Sequence, residues 1–401
     1  MDKARQKRII WLFLSNALSK YGLLFRCIHL YETNLKYLKE VIMLTNTAYR
    51  LNKEKKLTVG FFGGSITEGA GATSWDNTSW RALITKDLRK TYPEAEIKAV
   101  NAAVGGTGSD LGLYRLEHDL LKYEPNLIFI EFATNDQELS YKEQFGCYES
   151  CLRQILYRDP TTEIVCVFVA TKATEEKLLK FGEFRTRVAE SVLAYHYGLD
   201  MIDSGENFRY AIAKSGGDWM KYTTDETHPN DEGYIIYAAA IKDALTRLLA
   251  EIPETLTEKT IPAPYTDEKN IPCGKFVEVR DMLEGVSGWH FVNKPFKKRF
   301  PYYVSADGIG SEMKFEFDGS TFGIYWIMDN ESGILDVTLD GKETKSLSAW
   351  DEYCKSFSRA GYVFPFKEIE KGHHTVTLRV SDKKDEQSLG NKISLFAFLI
   401  S

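Results

Sequence analysis

The chain has 401 residues, long enough for two domains of ordinary size. A hydrophobic fraction of 43% and a charged fraction of 27% are those of a globular protein, and a net charge of −6 excludes the basic footprint of a nucleic-acid binder. The six cysteines (Cys27, Cys147, Cys151, Cys166, Cys273, Cys354) are scattered, which reads as reduced thiols in a cytoplasmic protein; Cys147 and Cys151 lack the companion ligands that a zinc site needs.

At the amino end, Lys3, Arg5, Lys7 and Arg8 precede an apolar stretch at 9–14 that looks like the start of a signal peptide. The stretch breaks at Ser15-Asn16 and is too short to span a bilayer, so residues 1–54 are read as a helical extension with no membrane partner. From there the pattern alternates. Short apolar strands are expected at 57–62, 97–101, 127–132, 164–169 and 199–203, and amphipathic helices at 79–92, 111–123, 141–157, 175–197 and 231–251. Strands separated by helices predict a parallel sheet covered on both faces over residues 55–252.

Pro253, Pro262, Pro264 and Pro272 cannot continue a helix and mark 253–272 as a linker. Beyond it the period becomes two. Strands are expected at 313–317, 322–326, 334–339, 374–380 and 393–400, with Asp340-Gly341 a hairpin turn signal. Residues 273–401 therefore read as an all-β sandwich, jelly-roll-like in plan. His118 and His196 fall in helical stretches and read as structural, and His373-His374 as a turn pair rather than a metal site.

The chemistry concentrates at strand ends. The strand at 57–62 runs into Gly63-Gly64-Ser65, where small residues permit a tight turn that lifts the serine onto the rim at which α/β sheets bind ligands. Asp225 and His228, three apart before Pro229, supply a carboxylate and an imidazole. Serine, histidine and aspartate together form a proton-relay nucleophile. Asn101-Ala102-Ala103-Val104-Gly105-Gly106 follows the second strand, and Ala133-Thr134-Asn135 ends the third. Plainer readings stand beside these: Ser65 as a helix cap, Asp225 as a loop carboxylate, Asn135 in an Asx turn.

In these blocks the chain resembles the SGNH (GDSL-type) hydrolases, a family of serine esterases, over roughly residues 55 to 250. The resemblance implies a flavodoxin-like, three-layer parallel-sheet fold, with Ser65, Asp225 and His228 catalytic and no cofactor or metal. It maps the oxyanion hole onto the Ser65 and Gly106 backbone amides and the Asn135 side chain, with Gly105 the alternative one position earlier. The family's first block is normally Gly-Asp-Ser; here Gly64 stands in the place of the aspartate.

The two-domain plan looks like that of bacterial carbohydrate acetyl esterases of the acetylmannan esterase kind, which implies a serine esterase that removes O-acetyl groups from an acetylated carbohydrate. Two other readings stay open: a short-chain lipid or thioester acyl hydrolase, and a sugar-binding protein without catalysis. A homo-oligomer is compatible with either plan. Trp326 and Asp329, in the loop after the strand at 322–326, are expected substrate contacts, and Glu131, a charge at the end of a buried strand that needs a partner, is expected either to face the substrate or to support the site from behind. Trp75, Trp80, Trp289, Trp326 and Trp350 can stack on sugar rings, with core packing the commoner use of each. The sandwich is expected to border the esterase cleft.

Overall fold

The computed structural model describes residues 43–401 apart from 183, 269–270, 283–285 and 298–299. The expected extension over 1–54 thus lies outside the described residues up to position 42. Its last part forms a short helix, α1 (Thr45–Tyr49), and one wider turn (Arg50–Glu54). The amides of Asn46 and Thr47 donate to the Glu163 carboxylate at 3.0 and 2.8 Å, tying this lead-in to the sheet.

Five strands form the central sheet: β1 (Lys56–Gly63), β2 (Glu96–Asn101), β3 (Leu127–Glu131), β4 (Glu163–Phe168) and β5 (Asp200–Asp203). All pairs are parallel and the order is β2-β1-β3-β4-β5. Val59 lies opposite Ala99 on one side and Leu127 on the other. Every residue of β3 and β4 is buried, because helices cover both faces. One face packs Trp80 and Ile84 of α3 (Trp80–Thr91) and Tyr234, Tyr237 and Ile241 of α9 (Asp231–Leu248). The other packs Leu113 and Leu116 of α4 (Ser109–Asp119), Tyr148 and Leu152 of α5 (Tyr141–Arg158), and Leu193. A single turn, α2 (Ser65–Glu68), continues directly from β1.

Two helical expectations are corrected. The helix expected at 175–197 is two helices, α6 (Lys172–Phe181) and α7 (Arg185–His196). Gly182, at φ +75°, ends the first in the left-handed conformation that glycine adopts without steric cost. A further helix, α8 (Ser204–Lys214), lies outside the expected set; it starts directly from β5, with Asp203 accepting the Glu206 amide as its cap.

The second domain is two antiparallel sheets. One is built on β10 (Phe322–Met328) and β15 (Ile393–Ile400), flanked by β13 (Arg359–Phe366), β8 (Tyr303–Ala306), β7 (His290–Val292) and β6 (Lys275–Glu278). The other has the order β12-β11-β14-β9, from Glu343–Ser348, Ile334–Leu339, Gly372–Val380 and Glu312–Gly319. Asp340 and Gly341 both have positive φ, and Lys342 N–H closes the turn onto Leu339 C=O, as the Asp-Gly signal required. The outer sheet shows the two-residue period: Lys314, Glu316 and Asp318 face solvent while Met313 and Phe317 face in.

The inner sheet does not alternate between wet and dry. All seven residues of β10 and all eight of β15 are buried. Ile324, Trp326 and Met328 fill the sandwich, while Tyr325 and Ile327 point the other way into the core of the α/β domain. A register shift between Tyr325 and Trp326 leaves Phe396 as the extra residue of β15, and Phe396 stacks on Phe300 at 3.8 Å in that interdomain layer.

Tyr114 meets Phe364 at 5.2 Å, and His118 stacks on Phe276 at 4.5 Å. Burying one such apolar side chain is worth about 1.5–3 kcal/mol. The exposed ion pairs at the edge, Lys142–Glu368 and Lys367–Glu143, are worth about 1 kcal/mol at most. The apolar layer therefore holds the two domains together. The 253–272 segment is no free tether either: the amides of Tyr265 and Thr266 donate to the Glu149 carboxylate at 2.6 and 2.8 Å, and Ser150 donates to Pro272 C=O at 2.6 Å. Among the described residues, no helix is long and apolar enough to cross a membrane.

Candidate active site

In the strand order β2-β1-β3 the chain reverses direction across the sheet, and the crevice at the carboxyl ends beside that reversal is where such folds bind ligands. Ser65 opens α2 directly after β1, the Gly105-Gly106 turn comes after β2, and Asn135 after β3. His228 arrives from the loop before α9, whose cap is Asn230 accepting the Gly233 amide at 3.1 Å; Pro229 precedes that cap rather than sitting in the first turn.

The three relay residues meet. His228 Nε2 lies 2.8 Å from Ser65 Oγ, and His228 Nδ1 lies 2.7 Å from Asp225 Oδ2. The other carboxylate oxygen of Asp225 accepts the His228 amide at 2.7 Å and the Thr227 amide at 3.1 Å. Burial acts to raise the Asp225 carboxyl, but the hydrogen bonds from the His228 backbone and ring and from Thr227 outweigh it and hold the group below its ordinary value of 3.8. Asp225 is thus an anion that aligns the ring.

Of the two residues between them, Glu226 adopts φ +64°, an unfavourable backbone for a side chain of its size. It is pinned there from three directions. Its amide donates to Thr223 Oγ1 at 3.0 Å, its carbonyl accepts the Lys172 amide at 3.0 Å, and its carboxylate pairs with Lys172 Nζ at 2.7 Å. Sequence reasoning misses both Glu226 and Lys172, because the bond joins segments far apart in the chain.

The loop after β2 distinguishes its two glycines. The Gly105 amide is already spent on the Glu68 carboxylate at 2.9 Å. Gly106 is exposed at φ +72°, with no atom of the described residues within 4 Å of where its Cβ would stand. Asn135 lies across the turn at Gly64, with its Cγ 2.9 Å from the position of a Cβ on that residue.

Beneath the site, Arg115 is fully buried and donates to the carbonyl of Ala102 and, at 3.4 Å, to that of Gly63, joining the ends of β2 and β1. Glu68 carries a signal in the sequence, since it sits on the nucleophile's own turn; Arg115 carries none.

Two of the three expected substrate contacts, Glu131 and Asp329, are engaged within the protein. Glu131 is 1% exposed and lies under the serine turn, where Thr67 Oγ1 donates to it at 2.9 Å. Burial pushes its carboxyl up to about 8 against the hydrogen bonds from Thr67 and the Gly64 amide, which favours the neutral form and a supporting role. Asp329 is occupied by the Ser332 hydroxyl of its own loop and by Lys392, just before β15, at 2.9 Å. Trp326 is 2% exposed and belongs to the sandwich core, as Trp80, Trp289 and Trp350 belong to theirs, while Trp75 is 43% exposed.

The edge of Trp326 nonetheless lines a cleft of about 390 Å³ between the domains. Gly106 contributes to it from the α/β domain, and Ser346, Ser348, Arg359 and Tyr362 from the sandwich. Among the described residues, no group of three His, Cys, Asp or Glu side chains is placed to hold a metal ion.

No curated protein matches the chain. Across solved structures, the chain is similar to a two-domain esterase, CEX, described as active on acetylated mannans: TM-score 0.75, 21% identity, 90% of this chain and 95% of that one, in a crystal grown with mannopentaose. A second crystal structure of that esterase covers the same 90% of this chain at the same TM-score of 0.75. At this identity the likeness is one of fold, and it extends over both domains. The acetylxylan esterase Axe2 from Geobacillus stearothermophilus matches 50% of the chain at 19% identity and a TM-score of 0.38. Residues 61–236 match the family described as GDSL-like Lipase/Acylhydrolase. That span runs from the strand before Ser65 into the helix after His228, so it is the α/β domain of this chain that is similar to the GDSL-like lipase/acylhydrolase family.

Proposed function

We propose that the chain is a serine esterase that removes O-acetyl groups from a carbohydrate through an acetyl-enzyme. The observation that carries the reading is the continuous line of bonds from Asp225 through His228 to Ser65, opening beside a cleft roofed by the second domain. Ser65 Oγ attacks the ester carbonyl while His228 Nε2 takes its proton, and Asp225 stabilises the imidazolium that results. Charge then sits on the carbonyl oxygen, where the Ser65 and Gly106 amides and the Asn135 side chain are the donors; each such donor is worth about 3 kcal/mol. The C–O bond to the sugar breaks as His228 returns the proton to the leaving oxygen. Water, deprotonated by the same imidazole, attacks the acetyl carbon; the bond to Ser65 Oγ then breaks, His228 returns the proton to that oxygen, and acetate leaves.

A sugar as leaving group is supported by the lining of the cleft, in which serine hydroxyls and a guanidinium stand beside an indole, and by the fold shared with an esterase active on acetylated mannans. Acetate release from acetylated manno-oligosaccharides, run beside an acyl-chain series of nitrophenyl esters, tests it. The expected result is acetate release with acetyl preferred over longer chains, since each added methylene needs about 0.8 kcal/mol of apolar burial to be rewarded. Octanoyl esters cleaved faster than acetyl esters move the assignment to lipid or thioester hydrolysis.

A further inference from the structure

We infer that Tyr362, on the β-sandwich, is a positioning residue for the Gly105–Gly108 loop of the other domain and so sets turnover at Ser65. The inference rests on the esterase reading above and adds a role for the second domain that does not involve touching the substrate.

The loop needs an external hold. Gly106 is exposed and has no Cβ to pack, so nothing of its own limits its backbone, yet an oxyanion donor acts only when its N–H is aimed within a fraction of an ångström. Three clamps surround it. Glu68, on the nucleophile's turn, accepts the Gly105 amide at 2.9 Å. Asp136, after β3, accepts the Ser109 amide at 2.8 Å and the Ser109 hydroxyl at 2.6 Å.

The third clamp comes from the sandwich. The Tyr362 hydroxyl lies 2.9 and 3.0 Å from the two oxygens of Asp110, in the first turn of α4, and the Gly108 amide faces the same phenol oxygen. Asp110 Oδ1 in turn stands 3.0 Å from where a Cβ on Gly108 would be, so the carboxylate is wedged against the loop it supports. Burial pushes both the Asp110 carboxyl and the Tyr362 phenol above their ordinary values. In such a dry setting, leaving either partner without the other costs more than the bond itself contributes. A second hydroxyl bond across the interface, from Tyr114 to Ser401 at 3.2 Å, joins the middle of α4 to Ser401 and does not reach the loop.

The test uses the full chain and nitrophenyl acetate, an ester that carries no sugar. Tyr362→Phe is expected to lower kcat roughly tenfold or more with KM little changed, because misplacing a catalytic loop acts on the transition state. The same factor is expected on acetylated manno-oligosaccharides. Tyr114→Phe, which removes an interface hydroxyl elsewhere, is expected to leave kcat as it is. Asp110→Ala removes the same bond from its other end, and the double variant is expected to be no worse than the weaker single one.

A loss confined to the oligosaccharide makes Tyr362 a sugar contact and overturns the inference. So does an equal loss in Tyr114→Phe, which means general docking, and so do losses that multiply in the double variant. Should Tyr362→Phe not fold, Asp110→Ala against Tyr114→Phe decides on the same readouts. A wild-type chain inactive on every acetyl ester overturns the esterase reading and this inference together, whereas an active wild type with an unaffected Tyr362→Phe overturns this inference alone.

Discussion

Gly64 and Asn135 share one space: a Cβ on Gly64 would overlap Asn135 Oδ1 and stand 2.9 Å from its Cγ. The backbone at Gly64 (φ −90°, ψ −155°) is open to any residue, so the glycine is required sterically rather than conformationally. Its missing side chain is what lets the Asn135 amide lie over the nucleophile's turn. The obstructing atom is the end of a side chain that can swing away, so the cost of filling the space falls on the site and not on the fold.

Gly64→Ala should therefore lower kcat on nitrophenyl acetate by about a hundredfold, the effect of losing one oxyanion donor, while the melting temperature moves little. Gly64→Asp, which restores the family's usual residue, should be no better, because Asn135 is displaced either way. A Gly64→Asp variant with wild-type kcat would sink the account.

The relay predicts a graded series. Ser65→Ala should abolish hydrolysis of nitrophenyl acetate without lowering the melting temperature, since among the described residues the hydroxyl bonds only His228 Nε2. Asp225→Asn should cut kcat by a factor on the order of 10⁴, as the ring loses its orienting anion and adopts the wrong tautomer. Steady-state rates for the two variants check this; Asp225→Asn at wild-type speed would make that carboxylate a mere loop cap.

Two buried acids give stability a pH slope. Burial pushes Glu131 up to about 8 from an ordinary 4.5, and Asp136 up to about 7 from 3.8. The folded chain then holds protons that the unfolded chain releases across that interval. With more protons bound in the folded state, the contribution of these two groups to stability falls as pH rises from about 4 to 8. Glu131→Gln, which keeps the shape and removes the ionisation, should flatten the slope of melting temperature between pH 5 and 8. A slope identical to wild type would mean that Glu131 is ionised in the folded protein.

The strands of the α/β domain are legible in the sequence to within a residue or two because burial on both faces writes an uninterrupted apolar run, as at 127–131. The helix boundaries are less so. Gly182 ends a helix inside a stretch whose periodicity runs on, and only its left-handed backbone shows the break. Ser65, Asp225 and His228 are legible as residue types at strand and helix ends, and their order along the chain matches a family. Glu131 and Asp329 stay ambiguous for one reason: a carboxylate looks the same in sequence whether it faces substrate, or Thr67, or Lys392.

The sequence by itself determined what is local or repeated: the strand-to-turn junction at Ser65, the Asp-Gly turn at 340–341, the change of period past residue 272. Those features depend on backbone conformations and side-chain alternation that neighbouring residues specify on their own. The apolar runs at 322–328 and 393–400 are visible too, but not what covers their second face. Only the tertiary structure decided that the α/β domain does, and that Tyr362 thereby reaches Asp110. A contact between positions 252 residues apart leaves no periodic trace in either segment, because each side chain there is chosen to fit a surface that the other segment supplies.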